Sequence, residues 1–278
     1  MPSQSFFKMN DGFEIPAVGL GTWKSEPGEV TYQAVLDSLK LGYRHIDTAR
    51  AYGNEEDVGR AVRDSEVNRE DIFVTTKLRY QDEGFESAIE ACNKSLKRLD
   101  IGYIDLYLIH WPLKDKRVDA WKALEVLKEE GKCRSIGVSN FTIRHLEELK
   151  ESCNVIPAIN QVELHPYHFQ QELLSYCNSE NILIEAYSPL AHGKKLEEPR
   201  LVKIANRLNV TPAQVLIRWA IQHGMIPLPK SINKGRIGEN FDVFSFEIPS
   251  SVMSELDSLD EAYITCWNPS NPPSYAPT

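Results

Sequence analysis

The chain alternates between short apolar runs and longer stretches in which apolar residues recur every three or four positions. Ile104–Ile109 is apolar at almost every position, which is typical of a strand buried on both faces of a parallel sheet. We predict eight strands: Arg44–Asp47, Ile72–Lys77, Ile104–His110, Ser135–Val138, Ala158–Val162, Leu183–Tyr187, Met225–Leu228 and Phe241–Phe244.

Helical patterns separate most of these strands. Apolar side chains share one face in Phe85–Leu99 and in Val118–Leu127, and Gly131 is expected to end the second of these helices. Thr211–Gln214 has the pattern of a capping box with proline in the first turn, so a helix is expected to begin there. A last helix is predicted over Ser251–Leu259.

Eight strands, mostly each followed by a helix, favour an α/β fold of the closed (β/α)8 TIM-barrel type. We expect a single domain over residues 1–278, with an irregular C-terminal tail over residues 260–278. The alternative is an open doubly wound sheet, which usually carries a glycine-rich nucleotide turn after its first strand. The nearest match, Gly19–Thr22, lacks a third glycine and a following helix start.

The composition of the chain argues against several classes of binding partner. A formal net charge of −9 argues against binding to nucleic acid or to anionic lipid. The sequence has no apolar run long enough to span a membrane and no secretory leader pattern, and its five cysteines are widely spaced. His165 and His168 lack a third ligand, so no metal site is predicted. We expect a cytoplasmic monomer or weak dimer that acts on a small molecule.

Four residues carry the candidate chemistry. Asp47, Lys77 and His110 close the first three predicted strands, and Tyr52 follows the first strand after a short loop. Each has an ordinary explanation alone: a helix cap, a strand exit, a core histidine and a packed tyrosine. Because the carboxyl ends of barrel strands converge on one mouth, the four together predict a catalytic site.

The chemistry of these side chains suggests a role for each. An ammonium near a tyrosine lowers the pKa of the phenol, so Lys77 is expected to tune Tyr52 while Asp47 holds Lys77. Tyr52 would then protonate a carbonyl oxygen as hydride reaches the carbon, and His110 would hydrogen-bond the same oxygen.

Several segments resemble the aldo-keto reductase family, and the resemblance runs from about Gly12 to Glu247. Within the family, the chain is most similar to compact microbial-type members of the diketogluconate reductase and prostaglandin F synthase subgroup. The segments that carry the resemblance are Gly42–Ala49, Tyr52–Glu55, Asp105–Pro112, Ile136–Phe141, Asn160–Pro166 and Pro229–Asn240.

The resemblance implies NADPH-dependent reduction of aldehydes or ketones to alcohols, with Asp47, Tyr52, Lys77 and His110 as the catalytic tetrad. It implies that NADPH or NADP+ lies along the barrel mouth. The residues that would contact its nicotinamide are Thr22, Trp23, Asp47, Ser139, Asn140, Gln161 and Tyr187. Those along the pyrophosphate are Ser188 and Leu190. Those at the 2′-phosphate and adenine are Lys230, Ser231, Arg236, Glu239 and Asn240.

The resemblance also implies a substrate pocket with one unusual member. Its residues would be Trp23, Tyr52, Arg79, His110, Trp111 and Trp267. Arg79 and Tyr80 stand where the subgroup usually has Trp-Asn, and this cation suggests anionic or sugar-like carbonyl substrates. Asn233 replaces a second basic residue found in some relatives, so we expect weaker phosphate binding.

Other functions stay open at this level. A cofactor-binding regulatory subunit would bind NADPH without turnover. A barrel lyase or isomerase would not bind NADPH. In a barrel aldolase Lys77 would form a Schiff base, but its partners Tyr52 and Asp47 argue against that reaction. Ser139 and Ser188 lack a nucleophile-elbow motif, which argues against a serine hydrolase.

Overall fold

The computed structural model describes residues 5–266. Its strands are β1 (Phe6–Lys8), β2 (Glu14–Pro16), β3 (Leu20–Gly21), β4 (His45–Asp47), β5 (Phe73–Leu78), β6 (Ile104–Ile109), β7 (Cys133–Ser139), β8 (Ile159–Glu163), β9 (Leu183–Tyr187) and β10 (Ile226–Leu228). Its α-helices are α1 (Glu29–Leu41), α2 (Glu55–Asp64), α3 (Phe85–Leu99), α4 (Arg117–Glu129), α5 (Ile143–Ser152), α6 (Gln171–Ser179), α7 (Pro199–Leu208), α8 (Pro212–Gln222), α9 (Lys234–Phe241) and α10 (Ser250–Asp257).

Strands β3 to β10 form one sheet in chain order, and every neighbouring pair is parallel. Two backbone hydrogen bonds join its ends, from Gly19 N to Pro227 O and from Gly21 N to Pro229 O, each 3.1 Å long. A Cβ atom on Gly21 would lie 2.9 Å from Leu228 O, so a larger residue would hold the two ends apart. The sheet therefore closes into the predicted barrel.

The hairpin formed by β1 and β2 covers one end of this barrel. Ile15 and Met9 are buried and pack in one cluster with Leu106 and Ile226 from the barrel strands. That cluster also contains Phe73, from the start of β5, so it lies at the end where the strands begin. The opposite end, where the strands finish, is left for the site.

One predicted strand was wrong and one barrel strand was missed. Phe241–Phe244 alternates apolar and polar residues as a strand does, but Phe241 is the last residue of α9 and its ring packs 4.6 Å from that of Tyr43. The first barrel strand is β3, which has only two residues. Asp47 and Lys77 therefore close or nearly close the second and third barrel strands, and His110 follows the fourth.

The predicted helices are confirmed with ends shifted by a few residues. Thr211 and Gln214 form the expected capping box at the start of α8. Trp219 on α8 is fully buried, and its indole nitrogen donates to Asp257 Oδ1 on α10 at 2.7 Å. Within the described residues, no helix is long and apolar enough to cross a membrane.

Candidate active site

A buried ion pair forms the base of the site. Lys77 Nζ on β5 lies 2.7 Å from both carboxylate oxygens of Asp47 on β4, and 2.8 Å from Thr48 O. Its distance to Tyr52 Oη is 3.4 Å. Burial raises the pKa of Asp47, and the ammonium opposes that rise. With its donors committed to these oxygens, Lys77 is poorly suited to attack a carbonyl as a Schiff-base lysine.

Tyr52 and His110 lie above this pair. Tyr52 ends a single 3-10 turn, and its ring meets the imidazole of His110 edge-on at 5.7 Å between centroids. Asn54 fixes the turn because its side chain accepts from Thr48 Oγ1 and donates to Thr22 O. The structure thus brings the four predicted catalytic residues together.

The direction of one expected pKa shift was wrong. Burial, with the charge of Asp47, raises the pKa of Tyr52 well above its usual value, whereas Lys77 was expected to lower it. The main reason is that burial disfavours the charged phenolate, and the carboxylate of Asp47 adds to this effect. Tyr52 therefore carries its proton at neutral pH. Burial and the charge of Lys77 lower the pKa of His110 to about 3, so its imidazole is neutral.

A cavity of about 800 Å³ opens over these residues and extends along the barrel mouth. Its size lies within the usual range for small-molecule sites, roughly 300–1,000 Å³. Tyr52 and His110 line it at one end, and Lys230 and Arg236 line it elsewhere. The other predicted residues that line it are Trp23, Asp47, Ser139, Asn140, Gln161, Tyr187, Ser188, Leu190, Ser231, Glu239 and Asn240.

Some predicted contacts do not line the cavity. Thr22 is buried below it, where its hydroxyl donates to Asp47 O at 2.9 Å. Trp111 is 5% exposed and does not form part of the wall. Trp267 lies outside the described residues.

Arg79 is also absent from the cavity wall. Its guanidinium forms a bidentate ion pair with Asp82, with both nitrogen–oxygen distances at 3.1 Å. The pairing arises because residues 80–82 form a 3-10 turn that brings the Asp82 carboxylate back toward Arg79. The proposed preference for anionic substrates therefore loses its structural basis.

We expect Arg79→Ala to leave substrate preference unchanged, because Asp82 already neutralises the guanidinium. The measurement is kcat/KM on a keto acid and on a neutral aldehyde, for the wild type and for the variant. The matched control is Arg50→Ala. Arg50 lies in the 3-10 turn that ends at Tyr52, and it forms no ion pair among the described residues. A selective loss on the keto acid in Arg79→Ala alone would restore the original hypothesis.

Hydrogen bonds order the part of the wall that was predicted to meet a carboxamide. Ser139 Oγ donates to Gln161 O at 2.9 Å, and Tyr187 Oη donates to Asn140 Oδ1 at 2.8 Å. Asn140 Nδ2 donates to His110 O at 3.0 Å. Asn140 adopts a left-handed backbone (φ 64°), which is accessible to asparagine. These polar groups are held in fixed positions at the ends of β7 to β9.

The cationic part of the wall suits a phosphate. Burial and the nearby charge of Arg236 lower the pKa of Lys230, whereas the charge of Glu26 opposes this shift, and neither cation forms a salt bridge with a carboxylate among the residues described. Asn233 caps the N-terminus of α9, and its side chain accepts a hydrogen bond from Arg236 N at 3.0 Å. Two unneutralised cations at a helix N-terminus favour an anion between them.

The sequence interpretation missed several residues of the wall. Lys24, His192 and Cys266 line the cavity, and no motif in the sequence indicated them. Glu163, at the end of β8, accepts hydrogen bonds from Thr265 N at 2.7 Å and from Cys266 N at 2.9 Å. One carboxylate thus holds the C-terminal segment against the mouth.

Comparison with known proteins places this site in a wider group. The Aldo/keto reductase family profile matches residues 17–261. The chain is 47% identical over 254 residues to glyoxal reductase of Bacillus subtilis, which covers 91% of this chain and 92% of that protein. It is 49% identical over 256 residues to the 9,11-endoperoxide prostaglandin H2 reductase of Trypanosoma cruzi, covering 91% and 90% of the two chains.

Solved structures agree. An aldo-keto reductase from a Medee basin deep-sea metagenome library has a TM-score of 0.90 and 45% identity, over 94% of this chain and 96% of that one. The aldo-keto reductase of Bombyx mori in complex with NADP has a TM-score of 0.89 and 34% identity, over 95% of each chain.

The barrel, its site and these relatives together define an oxidoreductase. The chain belongs to the aldo/keto reductase family.

Proposed function

We propose that this enzyme reduces aldehydes or ketones to alcohols with NADPH, and that Tyr52 donates the proton. The observation that carries the proposal is the buried Lys77–Asp47 pair, which lies behind the hydroxyl of a protonated tyrosine that faces the cavity. A carbonyl oxygen in the cavity would meet a neutral acid at Tyr52 and a neutral imidazole at His110.

Each residue then has a defined task. Tyr52 Oη gives its proton to the carbonyl oxygen as negative charge develops there. The ammonium of Lys77, 3.4 Å from Tyr52 Oη, stabilises the phenolate that forms, and Asp47 keeps the ammonium in place. His110 orients the carbonyl by a hydrogen bond from its neutral ring. The hydride for the carbonyl carbon would come from bound NADPH.

The cavity fits this cofactor. Lys230 and Arg236 supply unpaired positive charge for the 2′-phosphate, and Ser139, Asn140 and Gln161 supply amide and hydroxyl groups for the carboxamide. Bidentate and charge-assisted hydrogen bonds of this type favour arginine at a phosphate site.

We expect Arg236→Ala to weaken NADPH binding by about 10- to 100-fold, because a charge-assisted hydrogen bond contributes roughly 1.5–3 kcal/mol. NADH, which has no 2′-phosphate, should bind as before. The measurement is cofactor titration followed by fluorescence. Lys234→Ala is the control, since Lys234 lies on the same helix but faces Asp37, 3.4 Å away. Equal weakening of both cofactors in Arg236→Ala would contradict this assignment.

The direct test of the function is the loss of near-ultraviolet NADPH absorbance with an activated aromatic aldehyde, and with glyoxal because one relative is named a glyoxal reductase. Rapid loss with NADPH and slow loss with NADH supports the proposal. Tight NADPH binding without turnover on any carbonyl would instead favour the regulatory subunit.

A further inference from the structure

Glu185, in the middle of β9, is a fully buried carboxyl group that touches the catalytic network through Gln161. Gln161 Nε2 donates to Asp47 Oδ2 at 2.8 Å and to Glu185 Oε2 at 2.7 Å. If the amide of Gln161 were flipped, its carbonyl oxygen would face the oxygens of both carboxyl groups. The two carboxyl groups therefore select the orientation in which Nε2 faces them. Both amide hydrogens are used, and Oε1 of Gln161 is the atom left to bind a ligand in the cavity.

The network contains two carboxyl groups and one ammonium. Lys77 is paired with Asp47. His45 Nε2 lies 3.4 Å from Glu185 Oε1, but burial lowers the pKa of His45 to about 3, so it adds no positive charge. Two carboxylates that share one buried site cannot both ionise easily. Glu185 Oε1 accepts no hydrogen bond from the described residues, and it is the oxygen available to carry a proton.

We propose that Glu185 is a positioning residue that fixes the amide of Gln161 and controls the acidity of Tyr52 through its own charge. The inference rests on the proposed carbonyl reduction. Burial, with the charge of Asp47, raises the pKa of Glu185 to about 8. Below that pH the side chain is neutral. Above it, a second negative charge raises the pKa of Tyr52 further and weakens it as a proton donor.

Other groups near Glu185 change charge in different ranges. The pKa of Tyr52 lies well above 10, and those of His45 and His110 are about 3. The thiol of Cys266 also acts on Tyr52, but burial raises its pKa above the ordinary value of 9, so its charge would appear at higher pH than that of Glu185. Lys230 also has a lowered pKa, but it lines the proposed phosphate part of the cavity. Its titration would change the affinity for NADPH and not kcat at saturation. We therefore assign the expected step in kcat near pH 8 to Glu185.

The kinetic test is kcat for reduction between pH 6.5 and about 9.5, at saturating NADPH and aldehyde. We expect kcat of the wild type to fall roughly tenfold as pH rises through about 8, because a charge in the site shifts the acidity of its neighbours. Glu185→Gln keeps an acceptor for Gln161 but cannot ionise, so its kcat should stay level over this pH range. A fall of the same size in Glu185→Gln would overturn the proposal.

Glu83→Gln is the matched control. Glu83 is buried in the loop after β5, burial raises its pKa to about 9, and it does not line the cavity. The fall in kcat should persist in this variant. If it disappears there and persists in Glu185→Gln, the titrating group is Glu83 and the proposal fails.

Glu185→Leu tests the positioning of Gln161. Loss of this acceptor should weaken NADPH binding by about fivefold or more relative to Glu185→Gln, because the amide of Gln161 is then held only by its hydrogen bond to Asp47 Oδ2. Equal affinities in the two variants would remove the positioning role.

An infrared titration detects the proton without turnover. In the Glu83→Gln background, the band of a protonated carboxyl should disappear near pH 8, and it should be missing when Glu185→Gln is added. Absence of this band in the Glu83→Gln protein overturns the proposal even if the enzyme is inactive on every carbonyl. If the band is present but the wild-type enzyme reduces no carbonyl, the proposed reduction is rejected, while the protonation of Glu185 is supported.

Discussion

Tyr52→Phe is expected to lower carbonyl reduction by about 100- to 10,000-fold, the usual contribution of a positioned general acid. The substitution removes only the hydroxyl that lies 3.4 Å from Lys77 Nζ, and the ring can still pack against His110. NADPH affinity and folding stability should change little. The measurements are kcat/KM with an activated aldehyde, NADPH binding by fluorescence and a denaturant titration.

The control is Tyr32→Phe. Its hydroxyl hydrogen-bonds Asp64 at 3.0 Å on the surface, so its loss should leave turnover unaffected. Tyr52→Phe that retains turnover within a few-fold of the wild type would exclude Tyr52 as the acid. A parallel loss of NADPH binding would instead indicate that the hydroxyl of Tyr52 is needed to bind the cofactor, and not only to donate a proton.

Lys77→Met is expected to destroy activity and to destabilise the fold by roughly 3–5 kcal/mol, the usual effect of removing one partner of a buried ion pair. The reason is that Asp47 would lose both 2.7 Å contacts while it remains buried. Asp47 would then be protonated or the barrel would open to hydrate it. The measurements are the free energy of unfolding in urea and kcat with an activated aldehyde.

The double variant Asp47→Asn/Lys77→Met separates these two effects. It leaves no uncompensated charge, so it should recover much of the stability but none of the activity. If the single and double variants unfold at the same urea concentration, the unpaired carboxylate is not what destabilises the barrel. Recovery of turnover in the double variant would show that the ion pair is not needed for proton donation.

The residues at strand ends are the part of this molecule that the sequence predicted best. Asp47, Lys77 and His110 lie at or directly after the ends of predicted strands, and in a parallel barrel such positions share one mouth. The first barrel strand escaped prediction because Leu20–Gly21 is too short to show periodicity, and it is defined by its hydrogen bonds to other strands.

Two features of the site depend on contacts that no local pattern contains. The Arg79 side chain turns away from the cavity because Asp82 lies three residues on, in a turn that the sequence did not indicate. Glu185 lies within the strand segment Leu183–Tyr187, and only the approach of Gln161 from the neighbouring strand shows its connection to Asp47. Both are properties of the folded arrangement.

The barrel closes where its first and last strands meet, and within residues 5–266 two backbone hydrogen bonds join β3, β10 and their flanking residues. Trp23 follows the first of these strands and Lys230 follows the last, and both line the cavity. Gly21, Leu228 and Pro229 belong to this junction and also line the cavity. A molecule that spans the cavity from Trp23 to Lys230 therefore contacts both sides of this junction. Its binding would stabilise the closed barrel against unfolding.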